Sequence, residues 1–287
     1  MVRCVDLERE KLNVVPEGKK AFALLGYASD AGVRRNQGRS GAATGPDAIR
    51  KIAGSLANHF DSNISLIDAG NTICLSHLSE IVAELLDKNY FPILLGGGHD
   101  ISYGHFRGIS KHLGKAIIGI INMDAHFDVR SPKNGENSGT AFSQIAEEAS
   151  LNSRAFHYLC LGIQKQSNTK SCFTRAHDLG VEYIPIEGFQ IKNIENILVR
   201  LLAFIYQVDA VYLTIDMDGF SSAFAPGVSA PSPLGFSPDV ATEVIRTISQ
   251  SGKLVSMDIA ELNPRYDLDD RTARLAAFLM HQVSNLN

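Results

Sequence analysis

Apolar runs of strand length alternate with amphipathic segments along most of the chain. Several runs are continuously hydrophobic, which is typical of strands whose two faces are both covered by helices. The predicted strands are residues 21–27, 65–68, 92–95, 116–123, 157–163, 183–186, 211–215 and 254–259. The alternation predicts an α/β fold in which one mostly parallel sheet of about eight strands lies between layers of helices.

Helical patterns occupy the intervals between these runs. Residues 78–86 place Leu78, Ile81 and Leu85 on one face at helical spacing. Pro46 stands where the first turn of a helix tolerates proline. Further helices are predicted over residues 194–206, 238–248 and 271–283.

Composition restricts the class of protein. A chain of 287 residues with 45% hydrophobic content can bury a large core, and without a linker or internal repeat it predicts one domain, residues 1–287. A net charge of −4 with no long basic run argues against a nucleic-acid partner. The charged start of the chain and the absence of 18 consecutive apolar residues predict no membrane span and a cytoplasmic location. The four cysteines form no CxxC pair and are expected to be reduced packing residues.

Clusters of polar side chains follow three of the predicted strands. They are residues 96–100 (GGGHD), 124–128 (DAHFD) and 216–218 (DMD). The carboxyl ends of parallel strands meet at one edge of the sheet, so the three clusters are expected to converge there. Buried carboxylates repel one another unless a positive charge compensates them, and divalent metal ions would provide that charge.

Four aspartates and two histidines of these clusters are candidate ligands, which is too many for one ion and a natural number for two. The candidate ligands are His99, Asp124, His126, Asp128, Asp216 and Asp218. Carboxylates mixed with imidazoles suit Mn²⁺ and, less well, Fe²⁺, Co²⁺ or Zn²⁺. Two adjacent ions would hold a bridging hydroxide by lowering the pKa of water toward ~7. The pattern therefore predicts a binuclear metal hydrolase. A glycine-rich phosphate loop at residues 96–100 is the weaker interpretation, since the Lys-Ser/Thr pair is missing.

Glu261 ends a fourth apolar strand and is predicted to lie near the metals. A carboxylate there would bind an amidinium or guanidinium group through two parallel N–H donors. The alternative is that Glu261 caps the following turn. Asp258 is either a ligand or the anchor of a helix or loop, and the sequence leaves this open.

These motifs, together with residues 38–50 (GRSGAATGPDAIR) and 258–264 (DIAELNP), resemble those of the ureohydrolases: arginases, agmatinases and formimidoylglutamases. The resemblance covers residues 21–280 and implies the arginase-type three-layer α/β/α fold, two Mn²⁺ per chain and a homo-oligomer. It implies that one Mn²⁺ is held by His99, Asp124, Asp128 and Asp216. It implies that the other is held by Asp124, His126, Asp216 and Asp218.

The loop after residues 124–128 distinguishes members of this family. Arginases and agmatinases carry a histidine near this place, whereas residues 137–142 (NSGTAF) resemble the Ser-Gly-Thr-x-Phe pattern of formimidoylglutamases. This implies hydrolysis of N-formimino-L-glutamate to L-glutamate and formamide, a reaction of histidine degradation. Two alternatives stay open. One is a ureohydrolase that releases urea from guanidinobutyrate, agmatine or arginine, and the other is a non-catalytic metal-binding regulator on the same fold.

The mechanism that we expect gives catalytic roles to two carboxylates. Glu261 would hold the formimino group above the metals while the bridging hydroxide attacks the amidine carbon. Asp128, a ligand beside that hydroxide, would pass a proton to the leaving nitrogen of glutamate.

A substrate with two carboxylates needs cationic partners opposite the metals. Arg130, at the start of the polar loop 130–140, is the predicted partner, and the alternative is a solvated loop charge. Ser138 and Thr140 would hydrogen-bond a substrate carboxylate or water, or would only shape the loop. Arg265 is a weaker candidate with a structural role as its alternative.

Overall fold

The described part of the chain contains one sheet of nine parallel strands. The computed structural model describes residues 2–7 and 9–286, so Met1, Glu8 and Asn287 of the predicted domain lie outside it. The strands are β1 Arg3–Cys4, β2 Lys20–Tyr27, β3 Ile64–Thr72, β4 Phe91–Leu95, β5 Ile118–Met123, β6 His157–Ile163, β7 Glu182–Pro185, β8 Ala210–Asp216 and β9 Leu254–Ala260. Their order across the sheet is β1-β3-β2-β4-β9-β8-β5-β6-β7.

The predicted α/β class and parallel sheet are confirmed, with one strand more than the eight predicted. The additional strand is β1, an exposed pair of residues that joins the sheet beside β3. Two residues are too short to show a period of hydrophobicity, so the sequence could not reveal this strand.

Helices cover both faces of the sheet. They are α1 Ala31–Arg35, α2 Gly45–Ala53, α3 Leu75–Asp87, α4 Ile101–Leu113, α5 Ala141–Leu151, α6 Lys170–Asp178, α7 Ile194–Tyr206, α8 Pro238–Gln250 and α9 Arg271–Leu286. Apolar side chains of α2, α7, α8 and α9 pack into one buried cluster with one sheet face. Those of α3, α4, α5 and α6 pack into a second cluster with the other face. The two clusters define the three layers.

No helix within residues 2–7 and 9–286 is long and apolar enough to cross a membrane.

The sequence did not predict α4, because its apolar pattern is interrupted by glycines. A Cβ at Gly104 would lie 2.8 Å from the carbonyl oxygen of Leu75, and one at Gly108 would lie 2.7 Å from that of Ser79. Both carbonyls belong to α3. The glycines therefore allow α3 and α4 to pack backbone against backbone, which a longer side chain would prevent.

The centre of the sheet positions the polar clusters. Strands β4, β9, β8 and β5 are neighbours in that order, although they are far apart in sequence. Their ends are in register, since Leu95 pairs with Ile259, and Ile215 pairs with both Ile259 and Met123. The segments that follow these strands consequently emerge side by side at one edge of the sheet.

Two of the three glycines after β4, Gly96 and Gly97, let its loop pass close to neighbouring backbone. A Cβ at Gly97 would lie 1.9 Å from the carbonyl oxygen of Ser29, and one at Gly96 would lie 2.8 Å from that of Ile259. Any side chain at Gly97 would push this loop, and His99 with it, away from the sheet edge.

Gly97→Ala is therefore expected to lower the free energy of unfolding in urea by about 2–4 kcal/mol. Gly54→Ala is the matched control, because a Cβ there meets nothing closer than 3.4 Å and the backbone is already helical. The control should change the free energy of unfolding by no more than about 1 kcal/mol, and toward stability. Equal effects of the two substitutions would contradict the close approach at Gly97.

Candidate metal centre and active site

All six predicted metal ligands come together at the carboxyl edge of the sheet. His99 lies in the loop between β4 and α4, and the DAHFD segment directly follows β5. Asp216 is the last residue of β8, and Asp218 lies in the tight turn after it. Glu261 follows β9 directly.

The first group surrounds one nitrogen of His99 with carboxylates. His99 Nδ1 lies 3.2 Å from Asp124 Oδ2, 3.0 Å from Asp128 Oδ2 and 3.1 Å from Asp216 Oδ2. Carboxylate oxygens only accept hydrogen bonds, so a neutral Nδ1 lone pair at this position would be repelled from three sides. Either a proton or a metal ion must lie between Nδ1 and these oxygens.

The second group is smaller and shares Asp124 with the first. His126 Nδ1 lies 3.4 Å from Asp124 Oδ1 and 3.3 Å from Asp218 Oδ2. One atom from each of these three residues lies within 4.8 Å of the others. Among the described residues, the buried Asp218 Oδ1 has no hydrogen-bond partner. A buried, unpaired carboxylate oxygen next to an imidazole is a further feature that fits a cation.

The grouping differs in one respect from the set that the family resemblance implies. Asp124 belongs to both groups, whereas Asp216 groups only with His99, Asp124 and Asp128. The Oδ1 atom of Asp216 accepts the backbone N–H of Asp218 at 2.8 Å. That Asp216 also binds the second ion stays a prediction.

Local hydrogen bonds hold the carboxylates in place. Asp124 Oδ1 accepts the N–H of His126 at 2.7 Å, and Oδ2 accepts the side-chain amide of Asn122 at 3.0 Å. Asp128 and Glu261 have φ angles of +48° and +65°, in the left-handed region that non-glycine residues rarely adopt. Such backbone strain persists where the surrounding structure enforces it and is common at functional sites.

The concentration of buried carboxylates shifts their proton affinities. Burial, with the charges of Asp218 and Asp124, raises the pKa of Asp216 well above its usual value. Burial outweighs the attraction of His126 and raises the pKa of Asp218 to about 6. The two imidazoles outweigh burial at Asp124 and lower its pKa.

The imidazoles show the complementary effect. Burial disfavours the charged ring of His99, yet hydrogen bonds to Asp124, Asp128 and Asp216 raise its pKa well above 6.5. Burial likewise opposes the charge of His126, and its carboxylate neighbours, first Asp218, raise its pKa well above 6.5. Protons therefore occupy the position between carboxylates and imidazoles when no metal ion does.

Glu261 is buried against this cluster. Its Oε1 accepts the backbone N–H of His99 at 2.9 Å, and burial followed by the charge of Asp216 raises its pKa well above 4.5. The capping role is taken by another residue: the Asn263 side chain accepts the N–H of Arg265 and begins the turn Pro264–Tyr266. Glu261 is thus available to the cavity.

A cavity of about 300 Å³ opens onto the cluster, and its wall includes Arg130 and Ser138. The guanidinium of Arg130 donates from Nη1 to the side-chain oxygen of Asn36, and the amide of Asn36 donates to Ser138 Oγ at 3.1 Å. No carboxylate within the described residues pairs with Arg130. Its charge remains available to a ligand.

Thr140 lies outside this wall. Its buried hydroxyl donates to the carbonyl oxygen of Asn137 and accepts the N–H of the same residue, each at 2.9 Å. The bond from the Asn137 N–H, together with the Asn137 side chain that accepts the N–H of Gly139, forms a capping box at the short turn Ser138–Thr140. These bonds favour the loop-shaping alternative for Thr140 over a substrate contact. This turn is buried, although it belongs to the polar loop 130–140.

Sequence reasoning overlooked Arg39, which lines the same cavity. Its Nε donates to the carbonyl oxygen of Ser229 at 2.9 Å, and Nη2 donates to that of Val228 at 2.5 Å. The guanidinium lies 3.8 Å from the ring centre of Tyr266. The only signal in the sequence was its place in the GRSG motif, since the partners lie almost 190 residues away. Arg265 does not line the cavity.

Comparisons with known proteins agree with this geometry. Residues 20–284 match the model of the arginase family. A formimidoylglutamase of Aeromonas salmonicida is 45% identical over 269 residues, covering 91% of this chain and 86% of the relative. One of Clostridium tetani is 39% identical over 295 residues, covering 98% and 87%.

Solved structures have the same fold. A formiminoglutamase of Trypanosoma cruzi with Mn²⁺ superposes with a TM-score of 0.82 at 25% identity, covering 93% of each chain. A formimidoylglutamase of Bacillus subtilis gives a TM-score of 0.85 at 23% identity, covering 99% of this chain and 89% of that one.

Metal binding is expected to depend on pH. Folding raises the pKa values of five groups of the cluster: Asp216, Asp218, Glu261, His99 and His126. Bound protons therefore stabilise the folded, metal-free protein. This stabilisation is lost as pH rises through about 6 and beyond. A metal ion replaces these protons, so its stabilising effect should grow with pH.

Thermal unfolding with EDTA or with excess Mn²⁺ tests this. The Tm gain from Mn²⁺ should be at least about 5 °C at about pH 8 and small at about pH 5. Asp124→Asn, which removes the carboxylate shared by both groups, should abolish most of the gain. An equal gain at both pH values would contradict the displacement of protons.

Proposed function

The chain belongs to the arginase family, and we propose that it hydrolyses N-formimino-L-glutamate to L-glutamate and formamide with two Mn²⁺ ions. The observation that carries the proposal is the juxtaposition in one cavity of the carboxylate–imidazole cluster, Glu261 and two arginines that no carboxylate of the described residues pairs with. An anionic depth and a cationic rim match a substrate with an amidine head and two carboxylates.

The residues present fit the proposed ions. His99, Asp124, Asp128 and Asp216 would hold one, and Asp124, His126 and Asp218 would hold the other, with Asp216 as a further shared ligand. Carboxylate and imidazole donors without a thiolate suit Mn²⁺. Bound together, the ions would supply an ionised water as nucleophile and positive charge for the developing negative charge.

Glu261 would bind and orient the amidine. Its pKa is raised because it is buried beside Asp216, so its ionised form needs a cationic partner. An amidinium provides that partner and two parallel N–H donors. The hydrogen bond from the His99 N–H fixes one oxygen of Glu261, which sets the orientation of the carboxylate relative to the cluster.

Asp128 would handle the proton of the leaving group. One of its oxygens faces His99 Nδ1, and the residue also lines the cavity. As the C–N bond breaks, Asp128 would take the remaining proton of the attacking oxygen and pass it to the nitrogen of glutamate, and it lies within the site to do so.

Arg130 and Arg39 would bind the two carboxylates of the substrate. Both are held by neutral acceptors, an amide oxygen and backbone carbonyls, so neither charge is cancelled within the described residues. A substrate with a cationic tail, such as agmatine, would be repelled by them. Arginine and guanidinobutyrate each carry a carboxylate that these arginines could bind, so they are the guanidines to compare with N-formimino-L-glutamate.

The decisive assay is steady-state hydrolysis by Mn²⁺-loaded protein with N-formimino-L-glutamate, arginine, guanidinobutyrate and agmatine as substrates. We expect glutamate and formamide in equal amounts from the first and no urea from agmatine. Urea from a guanidine, with the formimino substrate untouched, would overturn the proposed substrate and retain the metal centre. Inactivity on every substrate with both metal sites loaded would favour a non-catalytic regulator.

Arg130→Gln is expected to raise KM for N-formimino-L-glutamate about 10- to 100-fold while kcat changes little, because the lost contact lies away from the reacting carbon. The N-formimino derivatives of 4-aminobutyrate and 2-aminobutyrate each lack one carboxylate. Arg130→Gln should leave KM unchanged for the derivative that lacks the carboxylate to which Arg130 binds.

Arg200→Gln is the matched control, since Arg200 lies on α7 and donates to the carbonyl oxygen of Tyr183. It should leave all three KM values unchanged. A loss from Arg130→Gln that is equal for all three substrates would show that Arg130 does not bind a substrate carboxylate.

A further inference from the structure

A hydrogen-bonded chain of buried side chains extends from His99 into the core. His99 Nε2 lies 2.9 Å from Thr214 Oγ1, and Thr214 Oγ1 donates to Asp258 Oδ1 at 2.6 Å. The other oxygen of Asp258 lies 2.6 Å from His105 Nδ1 and accepts the hydroxyl of Tyr212. All five side chains are at most 1% exposed. Asp258 belongs to neither candidate metal group.

At the end of this hydrogen-bonded series that lies in the core, the neighbouring groups determine which nitrogens of His105 carry a hydrogen. Ser256 Oγ lies 2.6 Å from His105 Nε2 and donates its only proton to the carbonyl oxygen of Pro92 at 2.8 Å. Ser256 must therefore accept from His105 Nε2. Since Asp258 accepts at Nδ1, His105 donates from both nitrogens and forms a buried ion pair with the carboxylate. This pairing offsets the cost of burying Asp258.

At the end of the series next to the candidate metal cluster, Thr214 determines which nitrogen of His99 carries a hydrogen. A threonine hydroxyl has one proton, and Thr214 gives it to Asp258, its charged and closest acceptor. Thr214 must then accept from His99 Nε2, so Nε2 carries a hydrogen. The remaining nitrogen, Nδ1, is left facing Asp124, Asp128 and Asp216.

We propose that Asp258, acting through Thr214, is a positioning residue that keeps His99 protonated at Nε2 and presents Nδ1 to the metal ion, with His105 as the buried counter-charge of Asp258. The inference rests on the proposed metal centre and not on the identity of the substrate. It also gives Asp258 a role that the sequence left open. The residue anchors α4 through His105 and orients a candidate ligand.

The second histidine provides a contrast within the same site. His126 also faces its carboxylates with Nδ1, but its Nε2 has no hydrogen-bond partner among the described residues, and its side chain is 20% exposed. Only His99 has its far nitrogen fixed by buried groups. Removal of the Thr214 hydroxyl should therefore affect one metal site and not the other.

The test is Thr214→Val, which removes the hydroxyl, nearly preserves the volume and leaves the contacts of Asp258 with His105 and Tyr212. Titration with Mn²⁺, with free ion counted by electron paramagnetic resonance, should show one site weakened about 10- to 100-fold. The other site should remain within about threefold of the unmodified protein. Thr214→Ser should restore binding, because it returns the hydroxyl.

Thr272→Val is the matched control. Thr272 is also fully buried, and its hydroxyl also donates to a carboxylate, that of Asp267, outside the cavity. It should lower Tm without changing Mn²⁺ affinity, whereas a purely structural role of Thr214 would make the two variants alike. Thr214→Val protein that is folded and binds both ions as tightly as the unmodified protein would overturn the proposal.

A spectroscopic measurement tests the proton directly. In protein with ¹⁵N-labelled histidine and Zn²⁺ as a diamagnetic ion, long-range ¹H–¹⁵N spectra should show His99 with hydrogen on Nε2 and metal on Nδ1. Hydrogen on Nδ1 would overturn the proposal. Neither readout uses turnover, so a protein inactive on N-formimino-L-glutamate can still confirm the positioning role while the proposed substrate fails.

Discussion

The site depends on one electrostatic constraint: the carboxylates of four aspartates, three of them buried, lie against two imidazoles at the edge of a sheet that helices cover on both faces. Isolated, such groups would repel one another at close range, and their burial would be costly. Because of this cost, Asp216 and Asp218 bind protons more tightly than exposed carboxylates do, and their pKa values are raised. A metal cation between the carboxylates would remove this repulsion, and the same cation would supply the nucleophile for hydrolysis.

The fold satisfies this constraint by bringing distant segments together at the ends of neighbouring strands. Parallel strands β4, β9, β8 and β5 end in register, so each cluster needs only a few residues to reach the site. Gly97 allows the first loop to lie against Ser29, and the left-handed conformations of Asp128 and Glu261 aim both carboxylates. Behind His99, the buried pair of Asp258 and His105 extends the ordered network into the core.

Local patterns predicted what depends on local sequence. Continuous apolar runs located the central strands, with β6 at its observed bounds, and polar residues at strand ends identified the six side chains that converge. The family resemblance is confirmed, while the roles of individual ligands remain proposals. Contacts between distant segments could not be predicted. Arg39 is held by carbonyls of another loop, Thr140 is turned into its own loop, and α4 is concealed by glycines that serve helix packing.

The central claim is that the carboxylate–imidazole cluster holds two metal ions, and a crystal of Mn²⁺-loaded protein tests it most directly. Anomalous difference maps at the manganese absorption edge should show two peaks, one beside His99 Nδ1 and Asp128, and one beside His126 Nδ1 and Asp218. Asp124 should lie between the two. The absence of peaks at saturating Mn²⁺, or a single peak away from both histidines, would contradict the account.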